Sequence, residues 1–179
     1  MTEFAKMYGG SLYELAAEEG ADERILTELD QCRALLVENP DYLRLLSTPS
    51  LPKKERCGLL DEALRGEVHP YLLNFLKILC ERGQLRQLGD CARAYRLRYN
   101  ADHGILEATA VSAVALTADQ AARLRQKLEA VTGKTIDLQC RVDPGVLGGI
   151  RLDMDGAELD GTVKNRLSGL RASIASAAL

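Results

Sequence analysis

The stretch Val142-Asp143-Pro144-Gly145-Val146-Leu147-Gly148-Gly149-Ile150-Arg151-Leu152, followed by Asp160-Gly161-Thr162-Val163, constrains this chain more than any other. Before it, Ile136, Leu138, Cys140 and Val142 alternate with Thr135, Asp137, Gln139 and Arg141, the period of two that marks a half-buried strand. An Asp-Pro-Gly turn and a glycine pair then lead into a second alternating run, with Ile150, Leu152 and Met154 on one face and Arg151, Asp153 and Asp155 on the other. A turn at Gly156 follows, and Asp160 caps a last helix with the stripe Val163, Leu167, Leu170 and Ile174. Strand, turn, strand and helix in such short order specify a small α/β unit. Nothing in the stretch pairs a nucleophile with a base or gathers a metal cage.

Upstream, Thr117-Ala118-Asp119-Gln120 reads as a capping box opening a helix with the stripe Ala121, Leu124, Leu128 and Val131, closed by Gly133. Ile105 to Ala115, rich in Ala, Val and Thr, reads as a strand. Residues 105–179 are thus expected to run strand–helix–strand–strand–helix. The break before them is Asn100-Ala101-Asp102-His103-Gly104.

Residues 1–104 read as six short helices. Phe4, Tyr8, Leu12 and Leu15 stripe the first, which ends near Gly20. Asp22 is the expected N-cap of the second, striped by Ile25, Leu29, Cys32 and Leu36 and stopped by Asn39-Pro40. A third lies around Tyr42 to Leu46, and a fourth runs to about Leu64. The fifth spans Tyr71 to Glu81, and the sixth, Leu85 to Tyr99, carries Leu88, Cys91, Ala92, Tyr95 and Tyr99. The fifth is apolar nearly all round, through Leu72, Leu73, Phe75, Leu76, Ile78, Leu79 and Cys80. Such a helix is either central to its domain or covered by a partner. Burying six of these large side chains is worth roughly 9–18 kcal/mol gross, and one strip is expected to be left for a partner. Gly9-Gly10 interrupts the first helix; either another helix approaches closely there, or the helix frays or kinks.

Composition excludes several classes. The net charge of −3 falls entirely on residues 1–104 and offers no basic footprint for nucleic acid or anionic lipid. Arg82, Arg86, Arg93, Arg96 and Arg98 interleave with Tyr95 and Tyr99 as a strand-binding face could. Glu81 and Asp90 dilute that patch, and both tyrosines share the apolar stripe, which favours a solvated helix face. Five cysteines without close spacing fit neither a disulfide framework nor a zinc site. Cys32, Cys80 and Cys140 are expected as small buried hydrophobes in a reducing compartment. No signal peptide is expected, and no apolar run reaches the roughly 20 residues of a membrane span.

Gly145 to Gly149 opens a strand and lacks the lysine of a phosphate loop, so a bulge or a close backbone approach is expected. Asp153-Met154-Asp155-Gly156 begins like a calcium loop, but Ala157, Glu158 and Lys164 stand where a ligand, the turn glycine and the closing glutamate belong. His69 and His103 sit at helix breaks with no partner pattern around them.

These residues resemble the delta subunit of the bacterial F-type ATP synthase, related to the mitochondrial oligomycin-sensitivity-conferring protein. The similarity spans nearly the whole chain. Val142-Asp143-Pro144, Leu147-Gly148-Gly149, Asp160-Gly161-Thr162-Val163, Arg166-Leu167 and Leu170 carry it most specifically, supported by Tyr71 to Leu79 and by Tyr8 and Leu12. It departs at Gly9-Gly10, where such chains commonly carry alanine.

The resemblance implies an N-terminal six-helix bundle over 1–104 that binds the catalytic head. An α/β domain over 105–179 is implied to bind the peripheral stalk. It further implies a stator with no catalytic residue, cofactor or metal, one copy per hetero-oligomeric complex, on the cytoplasmic face of the plasma membrane. Tyr8, Leu12, Leu15, Leu72, Phe75, Leu76 and Leu79 would form a groove for the N-terminal helix of an alpha subunit. On that basis Leu76→Asp is expected to weaken the helix's binding while leaving the domain folded. The C-terminal ends of the b subunits would meet Leu147, Gly148, Gly149, Ile150, Leu167 and Leu170.

Overall fold

The computed structural model describes residues 1–48, 50–146 and 148–154, together with the backbone of 157–160. The chain divides into two compact units, Met1–Tyr99 and Asn100–Leu179. The division falls within a helix, a few residues before the turn at Gly104.

In the first unit, α1 (Glu3–Glu18) starts at Thr2, whose hydroxyl accepts the Ala5 amide at 3.2 Å. Helix α2 (Asp22–Glu38) begins without a side-chain cap: Ala21 holds the N-cap position and Asp22, expected there, is the first helical residue. Its acidic side chain still stands in the first turn, where the helix dipole favours it. Pro40 ends the preceding geometry and opens α3 (Pro40–Ser47), since a first-turn proline gives up no needed amide. Helix α4 is Lys53–Leu64. Pro70 opens α5 (Pro70–Glu81), and His69 Nδ1 accepts the Tyr71 amide at 3.3 Å. A 3₁₀ turn at Leu85–Gln87 leads into α6 (Leu88–Asp102).

Ile25, Leu29, Leu46, Leu60, Leu72, Leu76, Leu79, Cys80, Cys91 and Tyr95 form the heart of one core, each almost wholly shielded from solvent. Tyr95 meets Tyr13 edge to face at 5.4 Å, and its hydroxyl donates to the Asp22 carbonyl at 2.9 Å. The buried residues of α1 are Ala5, Gly9, Gly10, Leu12, Tyr13 and Ala16, a face rotated from the expected Phe4, Tyr8, Leu12 and Leu15. Small residues face the core because α6 comes so near, and this pushes the bulky residues to the flank.

Among the described residues of this unit two charged side chains are buried, and both hydrogen-bond across elements. Glu28 accepts from Arg24 Nε at 2.7 Å and from the His69 amide at 2.6 Å, tying α2 to the start of α5. Arg56 Nη1 donates to the carbonyls of Leu46 and Cys80 at 3.1 and 3.2 Å, where α3 and α5 end. Last-turn carbonyls lack intrahelical partners, and a guanidinium supplies them.

In the second unit, β1 (Ile105–Ser112), β2 (Thr135–Val142), β3 (Ile150–Met154) and β4 (Ala157–Asp160) form one sheet in the order β2-β1-β3-β4. The β1–β2 pair is parallel, joined through α7 (Ala118–Thr132), while β1–β3 and β3–β4 are antiparallel. The Thr117–Gln120 capping box is complete, and Gly133 closes α7 at φ +68°. Leu128 packs with Ala108 and Ile136, flanked by Leu106, Leu124, Leu138, Leu152 and Met154.

Three expectations change here. β4 at Ala157–Asp160 is a strand the sequence reading did not include, and Asp160 ends it, as a residue at a helix N-cap also can. The last helix and its stripe lie outside the described residues. Cys140 and Val142 are exposed because β2 is an edge strand whose apolar packing reaches only Ile136 and Leu138. Val131, expected on the apolar stripe of α7, points to solvent one turn beyond Leu128.

Candidate partner-binding groove

Helices α1 and α5 run antiparallel. Arg82, just past the end of α5, lies 5.4 Å over the Tyr8 ring, while Tyr71, in the first turn of α5, donates its hydroxyl to Glu19 beyond the end of α1 at 3.0 Å. Between these ends lies an open groove of about 340 Å³. Its α1 wall is Met7, Tyr8, Ser11, Leu12 and Leu15; its α5 wall is Tyr71, Asn74, Phe75 and Ile78. Met7, Leu15 and Ile78 stand 62%, 49% and 41% exposed along it. Phe4 stacks on Tyr8 with centroids 4.2 Å apart, extending the wall at the Arg82 end.

Of the residues assigned to a groove from the sequence, Tyr8, Leu12, Leu15 and Phe75 line it. Leu72, Leu76 and Leu79 do not: they face the core at 0%, 1% and 0% exposure. Helical spacing explains the split. Tyr71, Asn74, Phe75 and Ile78 repeat at i, i+3, i+4 and i+7, whereas Leu72, Leu76 and Leu79 occupy a face part of a turn away. Sequence reasoning missed Met7, Ser11, Tyr71, Asn74 and Ile78. The signal lay in Asn74, the one uncharged polar residue of a helix otherwise almost wholly apolar, which marks the side turned from the core.

Electrostatics at the groove are modest. Accepting the Tyr71 hydroxyl's hydrogen bond, Glu19 pushes the phenol's pKa up, helped by the Glu19 charge, partial burial and the charge of Glu18. The arginine-rich face is committed elsewhere: Arg96 pairs with Asp30, Arg98 with Glu14 at 3.4 Å, and Tyr95 is fully buried.

In the second unit, Asp143 accepts the Gly145 amide through Oδ1 at 2.9 Å, closing the turn. Gly148 and Gly149 follow with φ of +70° and +86°, a left-handed pair that side chains resist, and lead into β3 at Ile150, which is half-buried and paired with Ser112. Leu147, Leu167 and Leu170 lie outside the described residues. A second hollow, about 260 Å³, lies between Ala118, Ala121, Ala122 and Arg125 of α7 and Ile136, Asp137 and Leu138 of β2. Nothing in the sequence reading singled it out.

A family model described as ATP synthase delta (OSCP) subunit matches residues 4–174. The chain belongs to this family. It is 32% identical over 171 residues to the ATP synthase subunit delta of Rhizobium rhizogenes, covering 95% of this chain and 91% of that one. To the subunit delta of Erythrobacter litoralis it is 34% identical over 168 residues, covering 93% and 91%. Its fold matches a chain in the cryo-EM structure of the Toxoplasma gondii mitochondrial ATP synthase hexamer, with a TM-score of 0.72, 17% identity and coverage of 97% and 98%.

As a delta (OSCP) chain it is a structural subunit of an ATP synthase and not a catalytic one. Burial pushes the thiols of Cys32 and Cys91 up to about 11, and desolvation does the same for Cys57, so these three are protonated at neutral pH. Among the described residues no helix is long and apolar enough to cross a membrane.

Proposed function

We propose that this delta-family chain is a stator link, holding the alpha/beta catalytic head to the b subunits of the peripheral stalk so that proton-driven rotation is coupled to ATP synthesis. The first unit takes the N-terminal helix of an alpha subunit in the α1–α5 groove. The second engages the C-terminal ends of the b subunits, with Gly148, Gly149 and Ile150 at that contact. The chain sits peripherally, one copy per complex, on the cytoplasmic face of the plasma membrane.

The observation that carries the reading is the groove: an elongated apolar strip of exposed Met7, Leu15 and Ile78 walled by two antiparallel helices. An amphipathic helix laid there buries its apolar face and leaves slowly, which suits a part that must resist torque rather than turn over substrate.

The test is calorimetric titration of the full chain with a peptide of the alpha subunit's N-terminal segment. Ile78→Asp places a charge in the groove at an already exposed position, so it should weaken binding tenfold or more with the fold intact. Wild-type affinity in that variant would remove the groove from the reading. Leu76→Asp cannot serve, because it buries a charge in the core.

A further inference from the structure

Strand β2 is an edge of its sheet, and its ladder fixes which backbone groups face outwards. The Thr135 amide donates to the Gly104 carbonyl at 3.0 Å, and the Asp143 amide to the Ser112 carbonyl at 2.9 Å. In a parallel ladder alternate residues turn to the same neighbour, so Asp137, Gln139 and Arg141 also bond towards β1. The amides and carbonyls of Ile136, Leu138, Cys140 and Val142 therefore point away from the sheet. Glu129 of α7 takes the Ile136 amide through Oε1 at 3.3 Å. Among the described residues nothing takes the amides of Leu138, Cys140 and Val142, and Cys140 and Val142 are exposed. No proline, lysine or bulge blunts this edge, the usual devices against strand-to-strand pairing. The strand is also chemically symmetric about Gln139. Leu138 and Cys140 flank it, then Asp137 and Arg141, then Ile136 and Val142.

We propose that the free chain pairs with a second copy of itself through β2, antiparallel and centred on Gln139. This goes beyond the stator reading and does not depend on the groove. In that register Leu138 of one copy and Cys140 of the other exchange both backbone hydrogen bonds, which only outward-facing residues can do. Asp137 then stands opposite Arg141 of the second copy, twice across the two-fold axis, and all four side chains are exposed and available. Directly opposed residues share a face of the sheet. Cys140 and Val142 therefore come over the α7 side, opposite Leu138 and Ile136 of the other copy. The hollow of about 260 Å³ between α7 and β2, walled by the small Ala118, Ala121 and Ala122, lies beside Ile136 and Leu138 and leaves room for them. Sliding the second copy by two residues sets Asp137 against Gln139 or against Asp143, and both ion pairs are lost. That match of charges about Gln139 is what favours a second copy over an unrelated extended segment. One strand pair is a small interface, so the association is weak and rises with concentration.

Sedimentation of the full chain over a concentration series reaching the millimolar range should show a monomer–dimer equilibrium. Asp137→Arg sets like charges opposite each other at both sites and should weaken the dimer about fivefold or more. Adding Arg141→Asp to that variant makes the charges opposite again and should restore the affinity. Both positions are exposed, so neither change threatens the fold. Amide exchange should slow at Leu138 and Cys140 as concentration rises, while the Ile136 amide, already held by Glu129, changes little. A chain that stays monomeric throughout overturns the proposal. So does a dimer that Asp137→Arg leaves unchanged, or one that the double variant fails to restore, since its contact would lie on another face. If the chain stays monomeric and a peptide from the b subunits' C-terminal end slows exchange at Leu138 and Cys140, the edge belongs to that partner and self-pairing is overturned.

Discussion

A Cβ placed on Gly9 would lie 2.3 Å from the carbonyl oxygen of Cys91 and 2.9 Å from the Cβ of Ala94. Helix α1 therefore touches α6 backbone to backbone, and the glycine is what lets it. Its neighbour is different: the nearest atoms to a Cβ on Gly10 would be those of the Arg98 guanidinium, 3.6 Å away at ordinary contact distance and on a flexible stem.

The two positions should respond to alanine with opposite signs. Gly9→Ala should destabilise the chain by about 1–3 kcal/mol through overpacking against a backbone that cannot step aside. Gly10→Ala should stabilise it by about 0.5–1 kcal/mol through helix propensity alone. Urea unfolding of both variants checks this; a shared sign would mean the α1–α6 contact is looser than the distances say.

Leu76 and Ile78 separate core from groove on the same helix. Leu76→Ala should cost about 2–5 kcal/mol, because a fully buried leucine leaves a cavity. Ile78→Ala should cost less than about 1 kcal/mol, since the side chain is already partly solvated. Equal losses in thermal or urea melts would put Ile78 in the core and close the groove.

That contrast shows where sequence was sufficient and where it was not. Ile25, Leu29, Cys32 and Leu36 were legible because α2 has polar residues on its other faces, and the Thr117–Gln120 box was legible because its chemistry is local. Within α5 nearly every direction is apolar, so periodicity could not say which leucines face the core. On α1 the inward face sets Ala5, Gly9 and Ala16 beside Leu12 and Tyr13, and hydrophobic pattern-reading passes over the small ones in favour of Phe4 and Leu15. β4 was missed because Ala157–Asp160 is four residues with two carboxylates, strand-forming only through its pairing with β3.

Thr117 closes the capping box that starts α7, accepting the Gln120 amide at 3.3 Å while Gln120 Oε1 accepts the Thr117 amide at 2.9 Å. Thr117→Ala leaves one of these donors without its partner and should cost about 1 kcal/mol. Hydrogen exchange should quicken in the first turn of α7 and leave the first unit untouched. Unaltered protection at Gln120 would contradict it.

Cys140 is exposed on an edge strand, whereas Cys32, Cys80 and Cys91 are buried. A thiol reagent at mildly alkaline pH should therefore label Cys140 rapidly in the folded chain and reach the buried three only on unfolding. Cys57 is partly exposed but its pKa is raised to about 11, so it should react much more slowly than Cys140. Mass spectrometry of the labelled chain reads this directly, and early labelling of Cys32 or Cys91 would contradict the core described above.

Asp61 joins α4 to α5, its carboxylate 2.6 Å from Lys77 Nζ and 3.3 Å from Arg65 Nη2. The Lys77 hydrogen bond is the main reason its pKa sits below the ordinary carboxylate range, opposed by partial desolvation and helped by Arg65. A carboxyl whose folded pKa is lowered contributes stability that is fully present above its unfolded pKa and is lost as pH falls through the folded one. Wild type should therefore lead Asp61→Asn in stability at neutral pH, and the lead should shrink towards zero on acidification as Asp61 itself becomes uncharged. Urea unfolding of both chains at a series of pH values measures the difference. A gap that stays constant down to the acid limb would assign Asp61's contribution to packing rather than to its charge.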